Sequence, residues 1–267
     1  MTLLLALMAV AAYHAMPEHW RHTLACPATR WLAWSTTLTL SDALRLAIAV
    51  LLPMVLLVVG LALLDELASV FMFLLCAVVV VAVFADSAVA RVATDQRAEW
   101  TEAEWPSDDE LLENALSLSR QQHLRRQLNE LFAPLFWLLL ATPVAALGYY
   151  LLRRSALGTS DDDNNLALNC LRLADWLPAR LLAMSFALAG NFTATWGVIS
   201  SQLLRAESVA YELIDHAANA AEPIAIDPSL TPAVGLATAM HQLNSLLQRA
   251  LVVWMVFVAL KTLWPGM

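Results

Sequence analysis

Residues 46–85 read LAIAVLLPMVLLVVGLALLDELASVFMFLLCAVVVVAVFA, and the fold turns on them. Two uncharged runs, Leu46–Leu64 and Leu67–Ala85, flank a single acidic pair, Asp65 and Glu66. A helix needs about 20 apolar residues to cross the hydrocarbon of a bilayer, and each run has roughly that length. With no water available in lipid, the backbone must satisfy its own hydrogen bonds, which a helix does. The stretch therefore predicts a tight helical hairpin, its first arm kinked where Pro53 removes a hydrogen bond. Arg45 precedes the first run, Arg91 and Arg97 follow the second, and the turn between them carries acids only. The bias of positive charge puts both open ends in the cytoplasm and the tip outside.

Composition extends this reading to the whole chain. It is 60% apolar and 14% charged, with a mean hydropathy of +0.63; soluble domains carry about 25% charge. Lipid must solvate part of it. The net charge of -8 argues against nucleic acid, which calls for a basic face. Cys26, Cys76 and Cys170 are odd in number and scattered, which reads as small apolar side chains rather than a disulfide framework.

The remaining segments read as helices. Thr2–Ala12 is apolar but lacks the positive n-region of a secretory signal. It predicts a retained helix that lies at the interface or dips partway, within an N-terminal region 1–45. Region 46–86 is the hairpin. Region 87–131 is polar, with Ser107 and Glu110 in the form of a capping box and with Arg120, Arg125 and Arg126 placed later, as the helix dipole favours.

Region 132–204 is a hairpin core. Leu131–Leu152 is a candidate span interrupted by Pro143, and Arg153-Arg154 closes it. A simple crossing would put these arginines outside, against the charge rule, so either the segment bends back or a bundle satisfies them from within. The side of loop 153–175 stays open, and Ser160–Asn165 reads as a solvated turn. Leu181–Leu204 is another uncharged run. Region 205–249 is polar, with a helix over Ala206–Glu222 and a second that starts at Thr231-Pro232. Ala250–Trp264, in region 250–267, is the last span. The expected fold class is all-α: one polytopic helical membrane bundle of four to five spanning helices with cytoplasmic helical segments.

Catalytic signatures are missing. No Walker loop, nucleophile elbow or zinc helix motif is present. Glu18, His19 and His22 are the densest ligand-like cluster, and Trp20 and Arg21 make an interfacial anchor the simpler account. Neither a metal nor a cofactor is predicted. Two strings are specific: Ala133-Pro134-Leu135-Phe136-Trp137 and Asp175-Trp176-Leu177-Pro178-Ala179-Arg180-Leu181. In the first, Pro134 reads as a helix start, with Phe136 and Trp137 as anchors. In the second, Trp176 and Pro178 repeat the pattern, and Asp175 reads as a cap on the first turn. Arg180 lies inside an apolar run, where a charge is expensive and faces a partner or a wet cavity. Either it holds an anion bidentately, or it pairs within the bundle or snorkels. Arg249 poses the same question at the last span. Arg180, Asp175, Asn191 and Arg249 are the candidate ligand-binding residues, lining a polar cavity between spans.

These strings, with Pro143–Tyr149 and Ala187–Phe192, resemble the AmpE family. Glu18-His19-Trp20 and Arg249–Trp254 look similar, so the likeness runs nearly end to end, its specific part covering 133–192. The resemblance implies an accessory protein of the Gram-negative inner membrane, multi-pass and tied to β-lactamase regulation and cell-wall stress. Its implied partners are membrane lipid, an anionic envelope metabolite or lipid headgroup, and another inner-membrane protein. AmpE is in turn similar to the CobD/CbiB enzymes of cobalamin assembly, which form an amide using ATP and Mg. Where those carry a Glu-Asn pair and an Asp, this chain has Arg125, Arg126 and Asn129, and further polar positions around Arg153–Ala156 are replaced. Asp175, Pro178 and Arg180 are retained. A regulatory or sensory role is therefore expected, with a CobD/CbiB-like enzyme or a structural partner of another membrane protein as the rivals.

Overall fold

In the computed structural model, every regular element among the described residues is helical, as expected. The described residues are 2–15, 28–64, 76–81, 83, 109–140, 143–157, 166–203, 210–223 and 232–263. Cys26, the Glu18/His19/His22 cluster, the Asp65-Glu66 turn, Ser107, the aspartates of 160–165, Thr231 and Trp264 lie outside them. Two compact units emerge, Met1–Val92 with Glu130–Asp175, and Ala93–Asn129 with Trp176–Met267.

The first unit contains α1 (Thr2–Ala15) and α2 (Asp42–Leu64). Pro53 sits inside α2 and has no N–H to give the carbonyl four residues back, that of Ala49. The indole of Trp31 donates to that carbonyl at 3.0 Å, so the proline leaves no orphan. Leu51, Leu52, Val55, Leu56, Val58 and Val59 are all exposed on α2, an apolar surface of the kind that lipid solvates.

The chain is helical again from α3 (Asp109–Gln127) through α4 (Ala133–Leu140), with a π-turn at Leu128–Phe132 between them. This corrects the expectation that Pro134 opens a fresh helix. Its ring would press on the carbonyl of Glu130, and the wider π-turn placed just before it absorbs that conflict. Phe136 is buried rather than a surface anchor.

Leu131–Leu152 is likewise not one crossing. Pro143 starts a separate helix, α5 (Pro143–Leu157), which packs against α4, and α2 packs on α5 in turn. At about 1.5 Å per residue neither α4 nor α5 alone reaches across a bilayer. Both features foreseen for Arg153 occur: α4 packs back on α5, and Arg153 pairs inside the unit with Glu130.

α6 (Leu166–Ala189) starts nine residues before Asp175, so Asp175 and Pro178 are interior to a helix, not its cap and first turn. The apolar residues Ala167 and Leu171, packed with Ala133, Tyr149 and Ala156, hold that earlier part in place.

In the second unit, α7 (Phe192–Ile199) and α8 (Ala210–Ala221) pack on each other, α8 packs on α3, and α3 on α9 (Pro232–Leu263). The run Leu181–Leu204 is broken at Gly190-Asn191. A Cβ on Gly190 would lie 2.6 Å from the Ala221 carbonyl oxygen, and the Asn191 N–H donates to that same oxygen at 2.9 Å. Gly190→Ala is therefore expected to force α6 and α8 apart and cost about 1–3 kcal/mol. Thermal unfolding of the detergent-purified variant checks it, and an unchanged midpoint would contradict the close approach. Polar residues join the remaining helices: Arg120 with Asp215, His123 with Asn244 at 2.8 Å, and Asn129 with Tyr211 at 3.3 Å.

Among the described residues two helices are long and apolar enough to cross a membrane, α2 over Asp42–Ala62 and α9 over Ala237–Leu263.

Candidate functional site

The first unit buries a small polar centre on α5. Tyr149 and Arg153 are four residues apart and therefore share one helical face. Each receives a carboxylate from a different element. The Tyr149 hydroxyl donates to Asp175 Oδ1 at 2.7 Å, from α6. Arg153 Nη2 donates to Glu130 Oε1 at 3.2 Å, from the π-turn. Asp175 is fully buried, Glu130 is 2% exposed and Tyr149 4%.

Charge is costly there. An isolated carboxylate in an apolar surround does not persist; it must be paired or hydrogen-bonded. Tyr149 also belongs to the apolar cluster of Ala133, Ala156, Ala167 and Leu171, against which Trp137 and Leu152 pack. The centre is thus set in an apolar wall. The indole N–H of Trp137 is buried and finds no acceptor among the described residues, a rare condition for a buried donor. Chemically the site brings together the Arg153 guanidinium, the Glu130 and Asp175 carboxylates and the Tyr149 phenol, all carried by helical segments.

The candidate residues from the sequence divide between the units. Asp175 belongs to the centre just described. Arg180, in the second unit, is 4% exposed. Its Nε donates to the Leu203 carbonyl at 2.5 Å and its Nη1 to the Trp176 carbonyl at 2.9 Å. The guanidinium carbon lies 3.8 Å from the centroid of the Trp176 ring, in cation–π range. Arg180 ties the end of the segment after α7 back to α6. Pro178 is buried beside it.

Compared with protein-family profiles, curated proteins and solved structures, the chain finds no match in any of the three.

Asn191 and Arg249 meet at the Gly190 joint. The Asn191 side chain accepts from the Ala194 N–H at 3.2 Å and caps α7. Arg249 donates to the Ala189 carbonyl at 3.0 Å and is ion-paired with Glu222. Both residues are exposed.

Glu130, Tyr149 and Arg153 were not singled out by sequence as site residues. A signal did exist in the four-residue spacing of a Tyr and an Arg at the end of an apolar run. Glu130, between a polar helix and that run, gave none until the hairpin closed.

Proposed function

We propose that the chain is a multi-pass helical protein of the bacterial inner membrane with a regulatory or sensory role of the AmpE type. In this reading α2, the run containing helical residues 76–81, α6 and α9 are its crossings. Two of the three charged residues of α6 speak for this as much as its length, about 36 Å at 1.5 Å per residue; the third, Arg172, is exposed in its first half. Asp175 and Arg180 are buried with partners in place, as intramembrane charges must be.

The observation that carries the functional reading is the centre on α5. Polar and ionisable groups inside an apolar helical unit cost stability, which makes them candidates for function by default. An anionic envelope metabolite or lipid headgroup would compete with Glu130 for Arg153, and the Trp137 indole supplies a further donor for an oxygen of such a ligand. Displacing Glu130 loads a charge at the π-turn, which is continuous with the polar helix α3.

The rival is an ATP-dependent amide-forming enzyme of the CobD/CbiB kind. Glu130 and Asp175 are engaged by a cation and a phenol, and the described residues contain no group of three or more His, Cys, Asp or Glu able to hold a metal. That favours regulation. In a Gram-negative strain deleted for its own AmpE, the chain is expected to restore the wild-type pattern of β-lactamase induction. It is expected not to restore growth of a cobalamin auxotroph lacking CbiB, and growth there would overturn the proposal.

A further inference from the structure

We infer that α7 is a membrane-interface element, with the rings of Phe192 and Trp196 resting in the headgroup zone of the bilayer. The inference builds on the membrane reading above and adds where the water boundary meets the second unit.

The sequence of α7, FTATWGVI, has no charged residue. Its pose is fixed at the start: Asn191 caps it, Thr195 Oγ1 donates back to the Asn191 carbonyl at 2.7 Å, and Gly190 lets Ala221 approach. Thr195 and Ile199, one turn apart, are fully buried and anchor one face. Flanking that buried face, Phe192 is 52% exposed and Trp196 43%, their rings stacked with centroids 5.9 Å apart and planes within 7°. Two stacked aromatics facing outward, on a helix locked in place, form a built surface rather than a stray apolar side chain.

What covers this surface is read from α9, its neighbour at the Gly190 joint. From Thr238 to Arg249 the outward residues of α9 are polar, Thr238, His241, Ser245 and Gln248, after Val234 and Ala237 in its first turns. After it they are apolar as far as Leu260, with Val252, Val256, Phe257 and Leu260 each more than half exposed, and Lys261 follows in the last turn. The switch from water-facing to lipid-facing surface thus falls at Arg249. Arg249 donates to the carbonyl of Ala189, three residues before α7 begins, and pairs with the half-exposed Glu222. α7 therefore starts at the level where α9 passes from water to lipid. An apolar ring with a polar edge suits that zone, where Trp is enriched, and an exposed ion pair beside it marks the water side.

Depth measurements test this on the full chain. In a variant with Cys26, Cys76 and Cys170 replaced by Ser, a nitroxide is attached to single cysteines at His241, Gly197 or Val256. A Cβ at Gly197 meets nothing within 4 Å, so the label starts from open space. The protein is placed in phosphatidylethanolamine/phosphatidylglycerol liposomes, and collisions with oxygen and with a water-soluble nickel chelate are compared. The expected order of depth is His241→Cys aqueous, Gly197→Cys intermediate and Val256→Cys deep, with Gly197→Cys moving toward water when Phe192→Ser and Trp196→Ser are added. If Gly197→Cys is as aqueous as His241→Cys while Val256→Cys is deep, the role of α7 is wrong and the membrane reading survives. If Val256→Cys is aqueous too, both fall. A label at Gly197→Cys shielded from both collision partners would point to a protein covering α7 and would also overturn the inference.

Discussion

Arg153→Met is expected to destabilise the protein by about 3–5 kcal/mol, the scale for removing one partner of a buried ion pair. The loss is large because Glu130, at 2% exposure, keeps its desolvation cost and gives up its cation. Native stability is only about 5–15 kcal/mol, so the variant loses a major share of it. The double variant, Glu130→Met with Arg153→Met, separates this cause from lost packing. Replacing a buried pair by apolar residues of similar volume is often neutral or stabilising, so the second change should return most of what the first removed. Denaturant unfolding of both variants in detergent reads the coupling. If the double variant is as unstable as the sum of the singles, the two charges do not depend on each other and the centre is wrongly drawn.

Asp215→Ala should cost about 3 kcal/mol in the second unit, at the lower end of the same scale. Arg120 grips Asp215 in a fork, Nε to Oδ1 at 2.6 Å and Nη2 to Oδ2 at 3.2 Å, and Gln121 adds a third bond at 3.3 Å. Such bidentate pairs are geometrically specific and stronger than neutral hydrogen bonds. The effect is smaller than at Glu130 because the Arg120 side chain is 12% exposed and also reaches Asn219 at 3.5 Å, so the orphaned guanidinium has alternatives. Asp215→Asn, which keeps an acceptor oxygen, should lose less. Hydrogen exchange should show α3 and α8 opening more readily in Asp215→Ala; unchanged protection in both helices would mean that the pair does not join them.

The helical class was legible because it rests on local facts: uncharged runs of spanning length, and prolines and glycines at run edges. Pro232 does start α9, and Gly190-Asn191, already noticeable in the sequence, is where a long run breaks. Pro134 misled because a proline that opens a helix and one that follows a π-turn look alike locally. Arg180 was rightly marked as costly. Its partners, however, are the Leu203 carbonyl and an aromatic face, which a search for complementary carboxylates passes over. The centre on α5 was illegible for another reason. Glu130 and Arg153 are 23 residues apart and Tyr149 and Asp175 26, so they meet only when α4 folds back on α5 and α6 packs beside them. No periodicity reports that closure.

The most direct test of the account is Tyr149→Phe, which removes one hydroxyl from the centre and nothing else. It deprives the buried Asp175 carboxylate of a donor, a change worth about 1.5–3 kcal/mol for a hydrogen bond to a charged group. At about 1.4 kcal/mol per decade, that is enough to shift a two-state equilibrium at least tenfold. β-Lactamase induction and membrane-inserted protein level are measured together in the deletion strain carrying the variant. The account predicts normal insertion and level with the induction response lost or locked on. A variant that inserts normally and responds like the wild type would show that the polar centre is not where this protein acts.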